Sequence, residues 1–519
     1  MTRINTNVPS MIARSNLSRT NRELDTRLER LSTGLRINRG ADDPAGLIIS
    51  ERLRSNIRGA EQGIKNSERA SAVIATTEGS LTEINELLNS IKALVVEAAN
   101  TGAFSDEEIA ANQAQIDSAI DSITRIADTA RFGDLRLLDG SLGYQTSGIA
   151  TSAVAKTNVR AASFSQGDSL DVNIEILNSA QQGGLYVRGD LPTPGAPGNG
   201  TILSTVILEV RGPDGVVSLE FTSGQSYTEV ASAINRLTPS TGVTAELING
   251  NPVSGLVFFS EDYGSRSFVS VERLQQPPSG GAWQTYKFAD ELAVGDNDPF
   301  PWGSVGSDLQ TAVRDQGRDV QAIINGALAN GDGLNVTTNS TSLSVDLILT
   351  EAFATRAGET STFDITGGGS LFQLGSEAVA QQQVNFGINS VAASRLGGTI
   401  VDGSLEFLES LKSGRENSLA SSKDRGNFTA ASRITDTAID EITIVRGRLG
   451  SFERNTLQTN IRSLSLAVEN LTASESLIRD ADFAKETSLL TRAQILASSG
   501  TTVLGLANQQ AQNVLQLLG

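Results

Sequence analysis

An apolar column repeating every seven residues constrains this chain most: Leu53, Ala60, Ser67, Ile74, Leu81, Leu88 and Val95. A second column runs beside it, first as Ile57 and Ile64 and later as Ile84, Ile91 and Ala98, so its offset changes from four residues to three. A stripe drifts in this way on a long α-helix packed against other helices, because about 3.6 residues per turn does not divide evenly into seven. Proline marks where such helices are allowed. After Pro9 and Pro44 the next is Pro192, and none follows Pro301. Both ends of the chain are therefore free to be long helices.

The pattern recurs around this stretch. Leu17, Leu24, Leu28, Leu31 and Leu35 make a shorter stripe ahead of it. The segment "NTGAF" (100–104) interrupts it, and Ser105 with Glu108 then forms a capping box for a helix whose apolar face is Ile109, Ile116, Ile120, Ile123 and Ala127. Asp106 and Glu107 favour the same helix start through its dipole. Near the carboxy end, Ile434, Ala438, Ile442, Val445, Leu449 and Phe452 step by three and four, and Ile461, Leu464, Val468 and Leu471 continue the series. The last segment spaces Leu489, Ala493, Leu496, Gly500, Val503, Ala507, Gln510, Val514 and Leu517 on one stripe, with no charge after Arg492. An apolar stripe on an uncharged background suits burial between partners.

The middle, residues 143–385, reads differently. It is rich in glycine, serine and threonine, with short alternating stretches such as "VVSLEF", "LVFFS", "SFVSV" and "SLSVDLILT" that predict strands. Between the first two, Ser226 and Glu229 form a second capping box ahead of Val230, Ile234 and Leu237, which predicts a compact α+β module. The loop "PTPGAPGNG" (192–200) is exposed on composition. Both tryptophans and all five tyrosines fall between residues 144 and 302, so the aliphatic ends and the aromatic-bearing middle have different cores.

Composition removes whole classes of function. The net charge of -18 argues against a nucleic-acid partner, which needs a basic face. Cysteine and histidine are both absent, which excludes disulfides, thiolate sites, imidazole catalysis and ordinary zinc sites. No apolar run is long enough to span a membrane, and the amino terminus has no apolar core for a cleaved secretory signal. Export would need another route.

"STGLRINRGADDPAGL" (32–47) has the glycines and arginines of a phosphate cradle. It lacks the Gly-Lys-Ser/Thr ending of a P-loop and follows no predicted strand. Asp42 or Asp43 is better placed to cap a helix beginning at Pro44, which makes the stretch a joint between two helices. Within it Arg36, Asn38, Arg39, Asp42, Asp43 and Pro44 are the candidate connector and subunit-contact residues, the two arginines above all. The glycine cluster at 365–375 reads as a turn, and the N-x-Ser/Thr triplets at Asn199, Asn335 and Asn339 carry little weight. No nucleophile sits beside a base, and no acid pair is brought together by spacing, so the residues argue against an enzyme. They call for no cofactor or metal.

Long stretches of both ends resemble one family. "INTNVPSMIARSNL", "RLERLSTGLRINRGADDPAGLIISERLRSNIRGAEQGIKN" and "TTEGSLTEINELL" are similar to the amino-terminal region of bacterial flagellins. "ESLIRDADFAKETSLLTRAQILASSGTTVLGLANQQAQNVLQLLG" is similar to the family's carboxy-terminal signature, and the "SEDYGSRSFVSV" region resembles a module of many flagellin variable regions. The resemblance implies a mixed fold: long α-helical coiled-coil and bundle ends, with amino- and carboxy-terminal segments paired, around a central β-rich α+β variable region. It implies an inner-tube helix at 1–40, a helical bundle from 41–142 and 386–477, a surface-exposed region at 143–385 and a second inner-tube helix at 478–519.

It further implies an extracellular filament subunit that drives swimming motility. Such a subunit is exported unfolded by the flagellar type III apparatus and meets copies of itself, an export chaperone, the filament cap and hook-filament junction proteins. No membrane or nucleic-acid partner is implied. Leu489, Leu496, Val503, Leu506, Val514 and Leu517 become candidates for inner-tube packing and chaperone contact. A Toll-like receptor recognises the family through the region holding Leu94; Ser90 stands here in place of a common arginine and Gln115 in place of an acidic residue, so weak recognition is expected. The alternatives are a hook-filament junction protein, against which "NQQAQNVLQLLG" speaks, and an adhesin displayed on the filament.

Overall fold

The computed structural model describes residues 6–102, 104–162, 169–188, 190–191, 200–275, 282–289, 300–302, 305–340, 342–401 and 403–518, without the side chains of 190, 191, 282 and 511–518. Residues 192–199 of the loop expected at 192–200, Asn199 among them, lie outside the described residues. In chain order the helices are α1 (Val8–Thr33), α2 (Pro44–Ala98), α3 (Asp106–Thr129), α4 (Tyr227–Asn235), α5 (Thr238–Thr241), α6 (Glu351–Ala354), α7 (Leu419–Arg425), α8 (Thr429–Ser451), α9 (Gln458–Arg479) and α10 (Phe483–Leu518). A π-helical turn, Phe452–Leu457, joins α8 to α9. The chain divides into two compact units, one from residues 1–71, 372–384 and 452–519, the other from 72–371 and 385–451.

In the first unit, the early turns of α2 and the length of α9 seat the hairpin segment 372–384. Gly59 and Gly63 make that approach close: a Cβ on either would stand 2.8 Å from the carbonyl oxygen of Ser376 or Leu374. Asn460 donates to the Leu374 carbonyl at 2.8 Å and to Ser67 at 3.0 Å, and Asn66 donates to Gln373 at 3.1 Å. Ser67, the polar member of the heptad column, is thus wholly buried and also donates to its own helix at Gly63.

In the second unit the heptad columns do what their spacing requires. Ile74, Leu81, Ile84, Leu88, Ile91, Val95 and Ala98 are buried, together with Ile116, Ile120, Ile123 and Ala127 of α3 and Ile434, Ala438, Ile442 and Leu449 of α8. Ion pairs Lys92–Asp436 and Glu78–Arg446 place α8 antiparallel to α2. Both predicted capping boxes are present, at Ser105–Glu108 and Ser226–Glu229. The buried Gln113 of α3 fixes the strap before α7, donating to Leu411 at 2.9 Å and accepting from the Leu419 N–H at 2.7 Å.

The middle of the chain holds two nested β cores. The first gathers strands from 144–178 and 321–368 around Val172, Ile174, Val345, Leu347 and Phe363. The second is inserted within it, from 184 to 316, where α4 lies against strands around Leu208, Val230, Phe258 and Val271. One of its sheets runs in the order Val243–Leu247, Leu256–Ser260, Gly184–Val187, Tyr286–Phe288 and Leu309–Thr311, the other in the order Arg314–Gln316, Phe268–Arg273, Val206–Arg211 and Val216–Phe221, and with α4 they make this second core α+β. Where the chain crosses between the cores, glycine is required by space: a Cβ on Gly317 would meet the Gly264 carbonyl oxygen at 2.5 Å and that of Gln181 at 2.6 Å.

A polar cavity of about 1500 Å³ lies in this unit, lined among others by Lys156, Arg160, Asp346, Glu441 and Arg448. Lys156 pairs with Glu441, and Arg160 with Asp346. Burial holds the Asp346 carboxyl above its ordinary value of 3.8 although the Arg160 guanidinium opposes the shift. Asp42 goes the other way, held below 3.8 by the N–H groups of Arg39 and Asn38.

These shifts set an expected pH profile. Asp42 binds its proton more weakly folded than unfolded, so its contribution is present above 3.8 and lost as pH falls through its depressed folded value. Asp346 contributes fully below 3.8 and loses that contribution as pH rises through its raised value. With no histidine in the chain, calorimetry of the soluble chain should show a melting temperature flat between about pH 6 and pH 8, the window in which imidazole ordinarily titrates. A step inside that window would contradict this reading.

Candidate functional site

Helices α1 and α10, both in the first unit, run antiparallel as a pair. Asn7 donates to the Ala507 carbonyl at 2.9 Å at one end, and Arg27 reaches Glu486 at the other. The facing positions step by three and four on both helices. On α1 they are Ser10, Ala13, Leu17, Thr20, Leu24, Arg27 and Leu31; on α10 they are Glu486, Leu490, Ala493, Ala497, Gly500, Leu504 and Ala507, all buried or half-buried. That is a coiled-coil seam. Its small residues bring the backbones close: a Cβ on Gly500 would lie 3.8 Å from the Leu17 Cβ.

Here the structure divides what the sequence joined. Ala493, Gly500 and Ala507 turn into the seam and Leu489 is half-buried at its edge, whereas Leu496 (44 % exposed), Val503 (53 %) and Leu506 (58 %) lie on an open face, with Ile495 beside them. The reason is the added width of two adjacent stripes, since 3.5-residue spacing is satisfied by either. The side chains of Val514 and Leu517 lie outside the described residues. On α1, Met11, Ile12 and Leu28 are exposed as well.

The connector closes this pair. α1 ends at Thr33, two residues before Leu35, because Gly34 takes the left-handed conformation (φ 72) and returns its N–H to the Arg30 carbonyl. Leu35 bridges Asp480, the Arg36 N–H donates to the Arg479 carbonyl at 2.7 Å, and the Ala481 N–H donates to Gly34 at 2.9 Å. The stretch between α9 and α10 is therefore a second connector laid against the first. Sequence reasoning missed it; its signal is Asp482, which caps α10 by accepting from the Lys485 N–H at 3.1 Å.

The two aspartates have separate tasks. Asp43 accepts from the Gly46 N–H at 2.9 Å and so caps α2. Asp42 folds back on the loop, accepting from the Asn38 and Arg39 N–H groups at 3.0 and 2.8 Å. Both connector arginines are engaged within the chain. Arg36 donates to the Ile478 carbonyl at 2.5 and 3.1 Å, and Arg39 pairs with Glu29 at 2.9 Å in an exposed ion pair of small energetic worth. Asn38 donates to the Leu35 carbonyl at 3.2 Å, and Pro44 opens α2.

One charged group lies in the seam itself. Glu486, with its side chain 7 % exposed, accepts from Arg27 at 2.9 and 3.1 Å and from Arg30 at 3.2 Å. In the second unit, Ser90 and Gln115 are exposed, but Leu94, the residue proposed to face a receptor, is 9 % exposed and largely covered. Among the described residues no group of three or more acidic side chains could hold a metal ion, and no helix is long and apolar enough to cross a membrane.

The chain thus has paired terminal helices, an open apolar stripe beside their seam and a separately cored middle. The Bacterial flagellin N-terminal helical region matches residues 4–142, and the Bacterial flagellin C-terminal helical region matches residues 433–518. Flagellin of Salmonella typhimurium is 27% identical over 541 aligned positions, and B-type flagellin of Pseudomonas aeruginosa is 26% identical over 531. In each case the match covers 99% of this chain and 99% of the relative. Among solved structures, the flagellar cap protein FliD D1-D2-D3 domains from Escherichia coli match 57% of this chain and 62% of that chain at 14% identity, with a TM-score of 0.26 that carries no weight. The chain is thus similar to bacterial flagellins at both ends by family model and along its whole length by relatives.

Proposed function

We propose that this chain, a structural subunit of the extracellular flagellar filament, polymerises with copies of itself through its paired ends. The observation that carries the reading is the open stripe Leu496, Val503 and Leu506 on α10, beside a seam already filled by α1. Burying that stripe against neighbouring copies offsets the entropy of ordering the ends. Residues 1–40 and 478–519 would form the inner layer, 41–142 and 386–477 the surrounding bundle, and 143–385 the surface region. The same stripe, with Leu489, Val514 and Leu517, is the surface offered to an export chaperone before assembly. The cap and the hook-filament junction would meet the ends of the polymer, and passage through the type III apparatus would precede folding. Weak Toll-like receptor recognition follows from the exposed Ser90 and Gln115 and from the covering of Leu94.

The test is seeded growth. Heat-dissociated chain, cooled with short filament seeds, should grow long filaments visible by electron microscopy, and deletion of residues 480–519 should abolish growth. Monomers persisting in both preparations would sink the reading.

A further inference from the structure

We propose that Glu486, with Arg27 and Arg30, is a register lock that specifies one alignment of the amino- and carboxy-terminal helices. The proposal rests on the reading of these ends as the assembly element and assigns a positioning role within it.

The apolar seam cannot set the alignment by itself. Its positions repeat every seven residues on both helices, so a slip by one repeat would set Leu17 opposite Ala493 or Ala507 instead of Gly500. The steric penalty of that exchange is small: a Cβ at Gly500 would meet the tip of the Leu17 side chain at 3.2 Å, and that flexible end need give only a few tenths of an ångström. The paired connectors hold the end of α1 beside the start of α10 through the Leu35–Asp480 bridge, the Arg36 and Ala481 N–H bonds and the Arg36 side chain on Ile478, all of them in the links outside the seam.

The carboxylate discriminates where the apolar groups do not. It is nearly sealed from solvent, and both of its oxygens are used by the two guanidinium groups. A slip of seven residues carries Glu486 from the level of Leu31 to that of Leu24, where Thr20 and Glu23 take the places of Arg27 and Arg30, or past the end of α1 at Thr33, and either way the two-arginine clamp is broken. The buried carboxylate would then lose one or both of its guanidinium partners, which costs more than the pair contributes when correctly formed. Net stabilisation by such a cluster is modest, and its main consequence is choice among alignments, as a single polar residue chooses register in a coiled coil.

Because the chain has no cysteine, alignment can be read by introduced disulfides. The Leu17→Cys/Gly500→Cys pair has the 3.8 Å Cβ separation a disulfide needs. The Leu17→Cys/Ala493→Cys and Leu17→Cys/Ala507→Cys pairs report a slip in either direction. Each pair is oxidised in the otherwise natural chain and in an Arg27→Met/Arg30→Leu/Glu486→Leu background, which keeps the seam filled with apolar groups. Yields are read both on soluble chain and in seeded filaments, so the lock is tested whether or not filaments grow, and failure of growth bears separately on the polymerisation reading.

In the natural chain the in-register disulfide should dominate. In the apolar background, with helix content retained by circular dichroism, the slipped disulfides should rise by about tenfold or more. Glu486→Gln should instead lower the in-register yield, because two arginines remain without their carboxylate. An apolar background that still forms only the Leu17→Cys/Gly500→Cys disulfide would overturn the proposal.

Discussion

Val503→Asp should leave the soluble chain as stable as before and stop filament growth. Val503 is 53 % exposed, on the face of α10 turned away from α1. In the isolated chain an aspartate there meets water and costs little in helix propensity, where valine and aspartate rank alike. In a filament the same carboxylate would be buried against a neighbouring copy with nothing to pair it, at a cost of several kcal/mol, about 2 or more for each copy added. Growth rate in the seeded assay should therefore fall by about thirtyfold or more, since about 1.4 kcal/mol is a factor of ten. The thermal melt should move by no more than about half a kcal/mol of stability allows for an exposed substitution. Ala493→Asp supplies the contrast: Ala493 is buried against α1, so its substitution should loosen the pair before any copy binds. Wild-type growth by Val503→Asp would remove the open stripe from the assembly surface.

The difference between these positions also shows how far the sequence could be read. Heptad columns and capping boxes are local patterns, and each appeared where spacing placed it, as at Ser105–Glu108 and along Ile74 to Val95. The last helix was harder. Its residues form two adjacent stripes of similar composition, and only the position of α1 decides that Ala493 is covered while Val503 is open. Glu486 was invisible for a related reason. A lone glutamate on a helix ordinarily faces solvent, and its burial depends on Arg27 and Arg30, more than 450 residues away in the chain. Likewise, "GADDP" announced a cap but not which aspartate supplies it; the return of Asp42 to the Asn38 and Arg39 N–H groups depends on the turn at Gly34. In the middle, strands were legible one by one. The nesting of one core inside another was not, because strands from 144–178 find their partners beyond residue 320.

That nesting leads to the second large effect. Phe258→Ala should strongly destabilise the inserted core and leave polymerisation intact. Phe258 is fully buried, in a strand paired on one side with Val243–Leu247 and on the other with Gly184–Val187. Truncating a buried phenylalanine costs about 3–5 kcal/mol, against a total of about 5–15 kcal/mol for a typical domain. Its neighbours Leu208, Val230 and Val271 are held by the rest of the same core and by α4, so the cavity cannot close without moving a strand. Limited proteolysis should then cut within 184–316 at protease levels the natural chain resists, while the helical ends stay protected and seeded growth continues near its natural rate. The expectation follows from separate cores: none of the residues filling the inserted core belongs to α1, α2, α9 or α10. If growth is lost together with that core, the surface region does more than ride on the ends, and assembly must draw on contacts made by the middle of the chain.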